Sequence, residues 1–146
     1  HALALLALGR TGEARDAARR AWFAGALPEA LEGRLLGAFA GSFTAADHDD
    51  RVDRLLFDGA LQSAERMLPW TTPAARPGFE ARLALQRRSA DAAARFAALG
   101  SAADGDPGLV IDRAQWLRIT GDPLSARLLL ARPRRLVRPP ANPEKY

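Results

Sequence analysis

The sequence predicts an all-α protein in which helical hairpins stack side by side into a superhelix, or solenoid. The clearest hairpin lies between residues 106 and 133. Asp106-Pro107 and Asp122-Pro123 each place a carboxylate at a helix N-cap and a proline at the first helical position, where the missing N–H costs nothing. Gly121 ends the first of these helices and Pro133 ends the second.

A second observation is that this hairpin recurs along the chain. Each copy has a leucine four residues before the turn residue and an alanine five residues after it. Glycine adopts a left-handed turn conformation without penalty, and alanine lets two helix backbones approach closely. The predicted repeat anchors are the turn residues Gly9, Gly59, Ser89 and Gly121 and the alanines Ala14, Ala64, Ala94 and Ala126.

The spacing of these anchors predicts α-α repeats of the tetratricopeptide (TPR-like) kind. The intervals from Gly59 to Ser89 and from Ser89 to Gly121 are close to the about 34 residues of that repeat. The longer interval that begins at Gly9 leaves room for an extra helix. Because a single hairpin cannot bury its apolar face alone, the hairpins are expected to stack.

Capping and helix-breaking residues place the other helices in order. Thr44 and Asp47 form a capping box, with Asp in place of the usual Glu, and residues 100–105 form a loop. The helices before that loop are predicted at Ala2–Leu8, Glu13–Phe23, Pro28–Phe39, Thr44 to Phe57, Ala60–Leu68, Ala74–Arg87 and Ala90–Leu99.

Composition separates a neutral helical body from a basic tail. Hydrophobic residues make up 48% of the chain, much of it alanine, and the net charge is +4. Residues 131–146 hold five basic residues and one acidic residue, which accounts for that charge, and three prolines after Pro133 argue against another helix. We therefore predict a helical-repeat domain over 1–130 and a Pro/Arg-rich extended linker or docking tail over 131–146.

Several classes of protein are excluded by what the sequence lacks. The absence of cysteine rules out a disulfide framework and thiol chemistry. No apolar run reaches the about 18 residues that a membrane span needs. The chain opens at His1 inside a helical pattern, with no Met and no signal peptide, so we expect a fragment whose targeting segment lies outside it.

One acidic cluster has the residue types of a metal site: Asp47-His48-Asp49-Asp50 with Asp53. Acidic residues in a first helical turn are expected from the helix dipole alone, and the cluster lacks convergent ligand spacing. His48 and His1 are the two histidines, and none of the six glutamates lies in a catalytic motif. The sequence therefore predicts no catalytic residue, no metal site and no cofactor in this chain.

Four residues are candidates for contact with a ligand or another domain: Trp70, Arg134, Arg135 and Arg138. Tryptophans on apolar helical stripes are expected in the core, but Trp70 follows Pro69 in a loop and could stack on a sugar or a base. The tail arginines could bind phosphate or another polyanion. A solvated linker is the favoured interpretation, because the tail lacks the interleaved aromatic residues of a nucleic-acid module.

The order of four phrases resembles one known family. RVDRLLFDG…AERMLPW, FEARLALQRRSADAAARF, DPGLVIDRAQWLRITGDPLSARLLLARP and RPPANPEKY are similar to the N-terminal superhelical region of soluble lytic murein transglycosylases. In that family a horseshoe- or ring-shaped helical region precedes a lysozyme-like catalytic domain. The resemblance implies a periplasmic protein with no cofactor, whose partners are peptidoglycan glycan strands and its own catalytic domain.

The catalytic phrases of that family are missing from this chain. The Glu-Ser dipeptide and the Gly-Leu-Met-Gln phrase do not occur, and the single methionine, Met67, is followed by Leu68. By resemblance, the parent protein cleaves the β-1,4 bond between N-acetylmuramic acid and N-acetylglucosamine and leaves a 1,6-anhydro product. No residue here can be assigned as its catalytic glutamate.

Two functions follow as hypotheses. The first is a non-catalytic superhelical segment that handles glycan strands and braces a downstream catalytic domain through the basic tail. The alternative is a stand-alone TPR-like scaffold that binds a peptide or protein partner in its groove. Under either hypothesis, an end hairpin without a polar cap would expose apolar surface and favour self-association of the chain.

Overall fold

The computed structural model describes residues 1–141 and 143–145, and all regular secondary structure among them is helical. The α-helices are α1 (Ala2–Ala7), α2 (Thr11–Ala24), α3 (Glu29–Phe39), α4 (Ala45–Phe57), α5 (Leu61–Met67), α6 (Arg76–Arg87), α7 (Ala92–Ala98), α8 (Pro107–Ile119) and α9 (Pro123–Ala131). Short 3₁₀ turns cover Ala40–Ser42, Leu68–Trp70, Gly100–Ala103 and Pro143–Lys145. The all-α prediction is confirmed, and each predicted helix has a counterpart.

The helix starts follow the capping signals of the sequence. The Thr44 hydroxyl accepts a 3.1 Å hydrogen bond from the Asp47 N–H, and the Asp47 carboxylate accepts one of 2.9 Å from the Thr44 N–H, so the capping box is present. Asp106 and Asp122 each accept a 3.0 Å bond from the backbone N–H three residues further on. These bonds satisfy N–H groups that have no partner inside the helix.

The turn residues Gly9, Gly59 and Gly121 have the left-handed backbone that the sequence predicts, with φ of 73°, 74° and 94°. After each glycine, the next N–H donates to the carbonyl five residues earlier, at 3.0, 2.9 and 2.8 Å. This is the main hydrogen bond of a Schellman C-cap. It turns the chain sharply between α1 and α2, α4 and α5, and α8 and α9.

The third turn requires a correction of the predicted anchors. The left-handed residue is Arg88, with φ of 56°, and the N–H of Ser89 makes the capping bond, at 2.9 Å to the Ala84 carbonyl. Arg88, not Ser89, is thus the counterpart of the glycines. The buried alanine of α7 is Ala92, whereas the predicted anchor Ala94 is exposed.

A tighter entry into α7 explains this shift. In the other hairpins, the anchor alanines Ala14, Ala64 and Ala126 are buried, and each N–H bonds to the carbonyl four residues earlier. In α7, the Ala92 N–H bonds at 3.1 Å to the carbonyl of Ser89, three residues earlier. The shorter step brings the buried alanine one residue closer to the turn.

The chain divides into two compact units, which we call the N-terminal unit (1–72) and the C-terminal unit (73–146). In the N-terminal unit, α4 packs on α2 and α5. In the C-terminal unit, α8 packs on α6 and α9. Fully buried side chains mark the two interiors, namely Trp22, Arg51, Val52, Leu55, Leu56 and Met67 in the first and Arg82, Leu85 and Val110 in the second.

The basic tail lies against the loop that precedes α8. The Val137 N–H donates a 2.9 Å hydrogen bond to the Gly105 carbonyl. A side chain at Gly105 would meet Val137 Cγ1 at 3.1 Å, so the lack of a Cβ there permits this approach. The last α-helix, α9, ends at Ala131. The division into domains at residue 130 stays a prediction.

Candidate functional site

The helical period of α4 brings an aromatic cluster together in the N-terminal unit. His48 and Val52 are buried on one face of α4, and the His48 ring centroid lies 5.8 Å from that of Trp22 of α2. Phe43, just before the Thr44 cap, contacts His48 with ring centroids 5.9 Å apart. This contact corresponds to the hydrophobic staple that fixes how a chain enters a helix. We define the aromatic cluster as Trp22, Phe43, His48 and Trp70.

Trp70 is the exposed member of the aromatic cluster. Its side chain belongs to a residue that is 48% exposed, while its ring centroid lies 5.9 Å from that of His48. Behind His48, the rings of Trp22 and Phe43 stack at 4.9 Å. Trp70 therefore presents a ring to solvent that lies against the buried His48 ring. The sequence predicted only that this tryptophan lies outside the core.

Hydrogen bonds fix the segment that carries Trp70. The Asp49 carboxylate accepts a bond of 2.9 Å from the Thr72 N–H and one of 2.7 Å from its hydroxyl. The Thr71 hydroxyl donates to the Leu68 carbonyl. The bonds to Asp49 tie the segment that follows Trp70 to α4, and the Thr71 bond closes the turn that contains Trp70. Both limit the entropy lost when a ligand stacks on the ring.

Burial sets the charge state of the aromatic cluster. Desolvation lowers the pKa of His48, an effect that Arg51 reinforces and that Asp47 and Asp49 oppose. The His48 Nδ1 atom is buried without a hydrogen-bond partner. His48 is therefore neutral at pH 7 and behaves as a third apolar ring. Asp47 remains ionised, because its hydrogen bond with Arg19 lowers its pKa.

A buried ion network lies beside the aromatic cluster. The Arg51 guanidinium stacks 4.0 Å from the Trp22 ring centroid and donates to the carbonyls of Trp22 and Gly25. It also binds one oxygen of Glu32 at 2.9 Å, while Arg66 binds the other oxygen at 3.0 Å. Both oxygens of Glu32 are thus engaged by arginines, and the residue is only 4% exposed.

The C-terminal unit has its own buried ion pair. Arg82 of α6 and Asp112 of α8 are 1% and 6% exposed, and the Arg82 Nε lies 2.7 Å from an Asp112 oxygen. The Gln86 amide donates to the same carboxylate at 3.1 Å. Burial raises the pKa of Asp112, while Arg82 opposes that shift. A substrate cannot reach this carboxyl group, which instead ties α6 to α8.

A small cavity lies between α6, the tail and the start of α8. Its volume is about 190 Å³, and Arg82, Asp106 and Arg138 form its polar side against Phe79 and Leu109. Sites that enclose small molecules usually span about 300–1,000 Å³. This cavity is too small to enclose a disaccharide.

The three predicted tail residues occupy different environments. Arg138 pairs with Asp106 at 2.9 Å, and Arg134 donates to the Leu129 carbonyl at the end of α9. Arg135 is exposed. Two of the three arginines therefore fasten the tail to the start of α8 and the end of α9, and none of them lies in the unit that holds Trp70.

The residues of the acidic cluster at 47–53 make separate contacts. Asp47 caps α4 and pairs with Arg19 at 3.1 Å, Asp49 holds Thr72, and His48 enters the aromatic cluster. Across residues 1–141 and 143–145, no three His, Cys, Asp or Glu side chains are grouped closely enough to hold a metal ion. Within the same ranges, no helix has the length and apolar character of a membrane span.

Sequence reasoning missed both buried ion pairs. The available signal was the helical period. Arg51 precedes Val52 and Leu55 on an apolar face of α4. In the same way, Arg82 lies among the apolar residues Phe79, Ala81 and Leu85 of α6. A charged residue on an apolar stripe requires a buried partner. The partners lie 19 and 30 residues away in the chain, so the period alone could not identify them.

We compared the chain with models of known protein families, with curated proteins and with solved structures, and found no significant match in any of the three. The functional assignment therefore depends on the residues themselves.

Proposed function

We propose that this chain is a non-catalytic superhelical segment of a periplasmic peptidoglycan lytic transglycosylase, and that its hairpins stack in the TPR-like manner. Its role is to hold glycan strands and to support a downstream catalytic domain. The order of phrases that resembles this family motivates the proposal. The single observation that carries the binding role is the exposed ring of Trp70 on its buried aromatic support.

The chemistry of the aromatic cluster suits a sugar better than a charged ligand. The face of a pyranose ring carries C–H groups that stack on an exposed indole, and His48 behind Trp70 adds no charge at pH 7. Polar groups lie nearby, since the partly exposed Arg19 sits 6.0 Å from the Phe43 centroid and pairs with Asp47. Arginine and carboxylate together can bond to sugar hydroxyls and to the acidic stem peptides of peptidoglycan.

The test is a pull-down of the purified chain with insoluble peptidoglycan at low and at moderate salt, with muropeptide release assayed in the same tubes. We expect binding without release. Trp70→Ala should weaken binding about threefold to tenfold, the loss expected from about 0.5–1.5 kcal/mol of stacking. Trp70→Phe should retain part of it, and stacking should persist at moderate salt because salt does not screen it.

A matched control is available in the other unit. Trp116 is half-buried on α8, so Trp116→Phe removes an indole without touching the aromatic cluster and should leave binding unchanged. The glycan role would be rejected if Trp70→Phe and Trp116→Phe weakened peptidoglycan binding equally, or if the unmodified chain did not bind. Muropeptide release would show that an active site does lie within these residues.

One observation favours the alternative, a scaffold that binds a peptide or protein. Helix α9 exposes Leu124 and Leu128, which are 67% and 64% exposed and lie four residues apart on one face of the helix. An apolar helix face of this kind is typical of a surface that another helix covers.

A further inference from the structure

A groove runs between α8 and α9 on the C-terminal unit. It encloses about 420 Å³ and is lined by Ala114, Gln115, Arg118, Ala126, Arg127 and Leu130, among others. The two alanines are buried and form its floor, while Gln115, Arg118 and Arg127 are exposed and form its rim. We call this the α8–α9 groove.

The preceding hairpin has the same groove, and there it is filled. Aligning the sequence on the left-handed turn residues, Arg88 and Gly121, pairs Ala81 of α6 with Ala114 and Arg82 with Gln115. The same alignment pairs Gly78 with Ile111 and Leu85 with Arg118. In the second helix, the shorter step into α7 moves the alignment by one residue, so that the buried alanines Ala92 and Ala126 correspond. In the α6–α7 hairpin, these positions receive α8.

The contacts of α8 show what such a groove accepts. Leu109 lies over Gly78, whose missing Cβ would stand 3.6 Å from Leu109 Cδ1. One turn further along α8, Asp112 pairs with Arg82 at 2.7 Å. A further turn on, Trp116 packs on the buried cluster that contains Leu85 and Ala92. The incoming helix thus presents an apolar residue, a carboxylate and an aromatic residue along one face.

The rim of the α8–α9 groove is more basic than that of its filled counterpart. Arg118 stands where α6 has Leu85, and Arg127 lies beside the floor residue Ala126. Both side chains are exposed, and neither forms a salt bridge with another residue in the described part of the chain. Two uncompensated positive charges beside an apolar floor complement an acidic helix and disfavour a basic one.

We propose that the α8–α9 groove binds an amphipathic α-helix that carries carboxylates on the edge of its apolar face, supplied by a partner protein. The helix docks as α8 docks on the α6–α7 hairpin, with apolar side chains over Ala114 and Ala126 and carboxylates toward Arg118 and Arg127. This is the helix-in-groove mode of recognition. It uses a different unit from Trp70, so its success or failure is independent of glycan binding.

The probe is a synthetic peptide patterned on the helix that fills the equivalent groove. It comprises residues 106–119 of this chain with Arg113→Glu and Arg118→Glu, which leaves four acidic and no basic residues. The Arg113 position is chosen because Arg113 lies 5.1 Å from the Phe96 ring in the filled groove, and Phe96 corresponds to Leu130 beside Arg127. A control peptide keeps both arginines and carries Asp112→Lys.

Binding of the fluorescein-labelled probe to the whole 146-residue chain is followed by fluorescence anisotropy. We expect saturable binding that is about tenfold or more weaker for the control peptide. The double variant Arg118→Glu/Arg127→Glu should weaken binding by about tenfold, since two attractive pairs become repulsive. The exposed pair Arg20→Glu/Arg34→Glu in the N-terminal unit, which changes the net charge equally, should not.

A steric variant separates the groove from charge alone. Gln115→Trp fills the groove from an exposed rim position and should abolish binding while circular dichroism shows an intact helical fold. If no saturable binding occurs, or if both double variants weaken it equally, the proposal is overturned. Sedimentation velocity supplies a further outcome, because a dimer of the unliganded chain that Gln115→Trp disrupts would make a second copy the occupant and also overturn it.

Discussion

Each of the two units buries a carboxylate that is paired with arginine, but the number of arginines differs. In the N-terminal unit, Glu32 is shared by Arg51 and Arg66, and Arg66 remains 30% exposed. In the C-terminal unit, Asp112 is bound by one arginine, Arg82, and by the neutral amide of Gln86. The first carboxylate therefore has a second cation in reserve, whereas the second carboxylate depends on a single cation. The two units should therefore differ in how well they tolerate the loss of a buried arginine.

The largest expected effect is in the C-terminal unit. Arg82→Met leaves the buried Asp112 carboxylate without a positive partner, which typically costs about 3–5 kcal/mol. The free energy of unfolding, measured by urea denaturation with circular dichroism, should fall by that amount. Adding Asp112→Leu should restore much of it, because the double variant buries no charge. If the double variant is no more stable than Arg82→Met, the loss is one of packing and the account of Asp112 is wrong.

The matched change in the N-terminal unit should be milder. Arg51→Met removes one cation from Glu32 and two hydrogen bonds to backbone carbonyls, but Arg66 still binds the other carboxylate oxygen. We expect a loss of about 1–3 kcal/mol in the same urea experiment. Combining it with Arg66→Met should then cost more than the sum of the two single changes, since Glu32 would lose both partners. Simple additivity would contradict the idea of a second cation in reserve.

The turns extend the comparison, because both hairpins of the N-terminal unit turn at glycine, whereas one of the C-terminal unit turns at Arg88. Arg88 is exposed and has φ of 56°, so Arg88→Gly should relieve strain and raise the free energy of unfolding by about 1 kcal/mol.

Gly121→Val is the opposite test, because it forces a β-branched residue to φ of 94°. It should lower the free energy of unfolding by about 1–3 kcal/mol. Differential scanning calorimetry measures the change in stability of both variants. A loss of stability in Arg88→Gly would reject Arg88 as the counterpart of the turn glycines.

The smallest effect concerns pH and is specific to the N-terminal unit. Because burial lowers the pKa of His48 below the usual 6.5, the unfolded chain takes up a proton more readily than the folded chain as pH falls through that range. Stability should therefore decrease from pH 7.5 to pH 5. His48→Phe should remove that part of the decrease, and comparing the two proteins cancels the opposite contribution of Asp112. Identical pH dependence of the two thermal midpoints would contradict a neutral, buried His48.

Much of the fold could be predicted from local signals. Asp-Pro pairs, the Thr44 capping box and three glycines set helix boundaries through hydrogen bonds within a few residues, so they can be read directly from the sequence. The third turn was misplaced by one residue because Arg88, unlike glycine, gives no sign that it adopts a left-handed conformation. That error carried through to Ala94, since the buried alanine was located by counting from the turn.

The candidate sites were less accessible to prediction. The prediction set Trp70 apart because it follows Pro69, but its support by His48, with Trp22 behind it, depends on α2 and α4 coming together. The α8–α9 groove could be recognised only after the structure showed how α8 fills the equivalent groove in the preceding hairpin. Long-range contacts of this kind leave no trace in local periodicity.

The most direct test of the glycan role uses the fact that the chain has three tryptophans. Each indole N–H gives its own signal in a ¹H–¹⁵N NMR spectrum, and the three are assigned with the variants Trp22→Phe, Trp70→Phe and Trp116→Phe. On titration with soluble uncrosslinked glycan strands, we predict a saturable shift of the Trp70 signal that exceeds the shift of Trp22 or Trp116. Saturable binding that leaves the Trp70 signal in place, or no shift at all, would contradict the proposal that this chain holds glycan strands on Trp70.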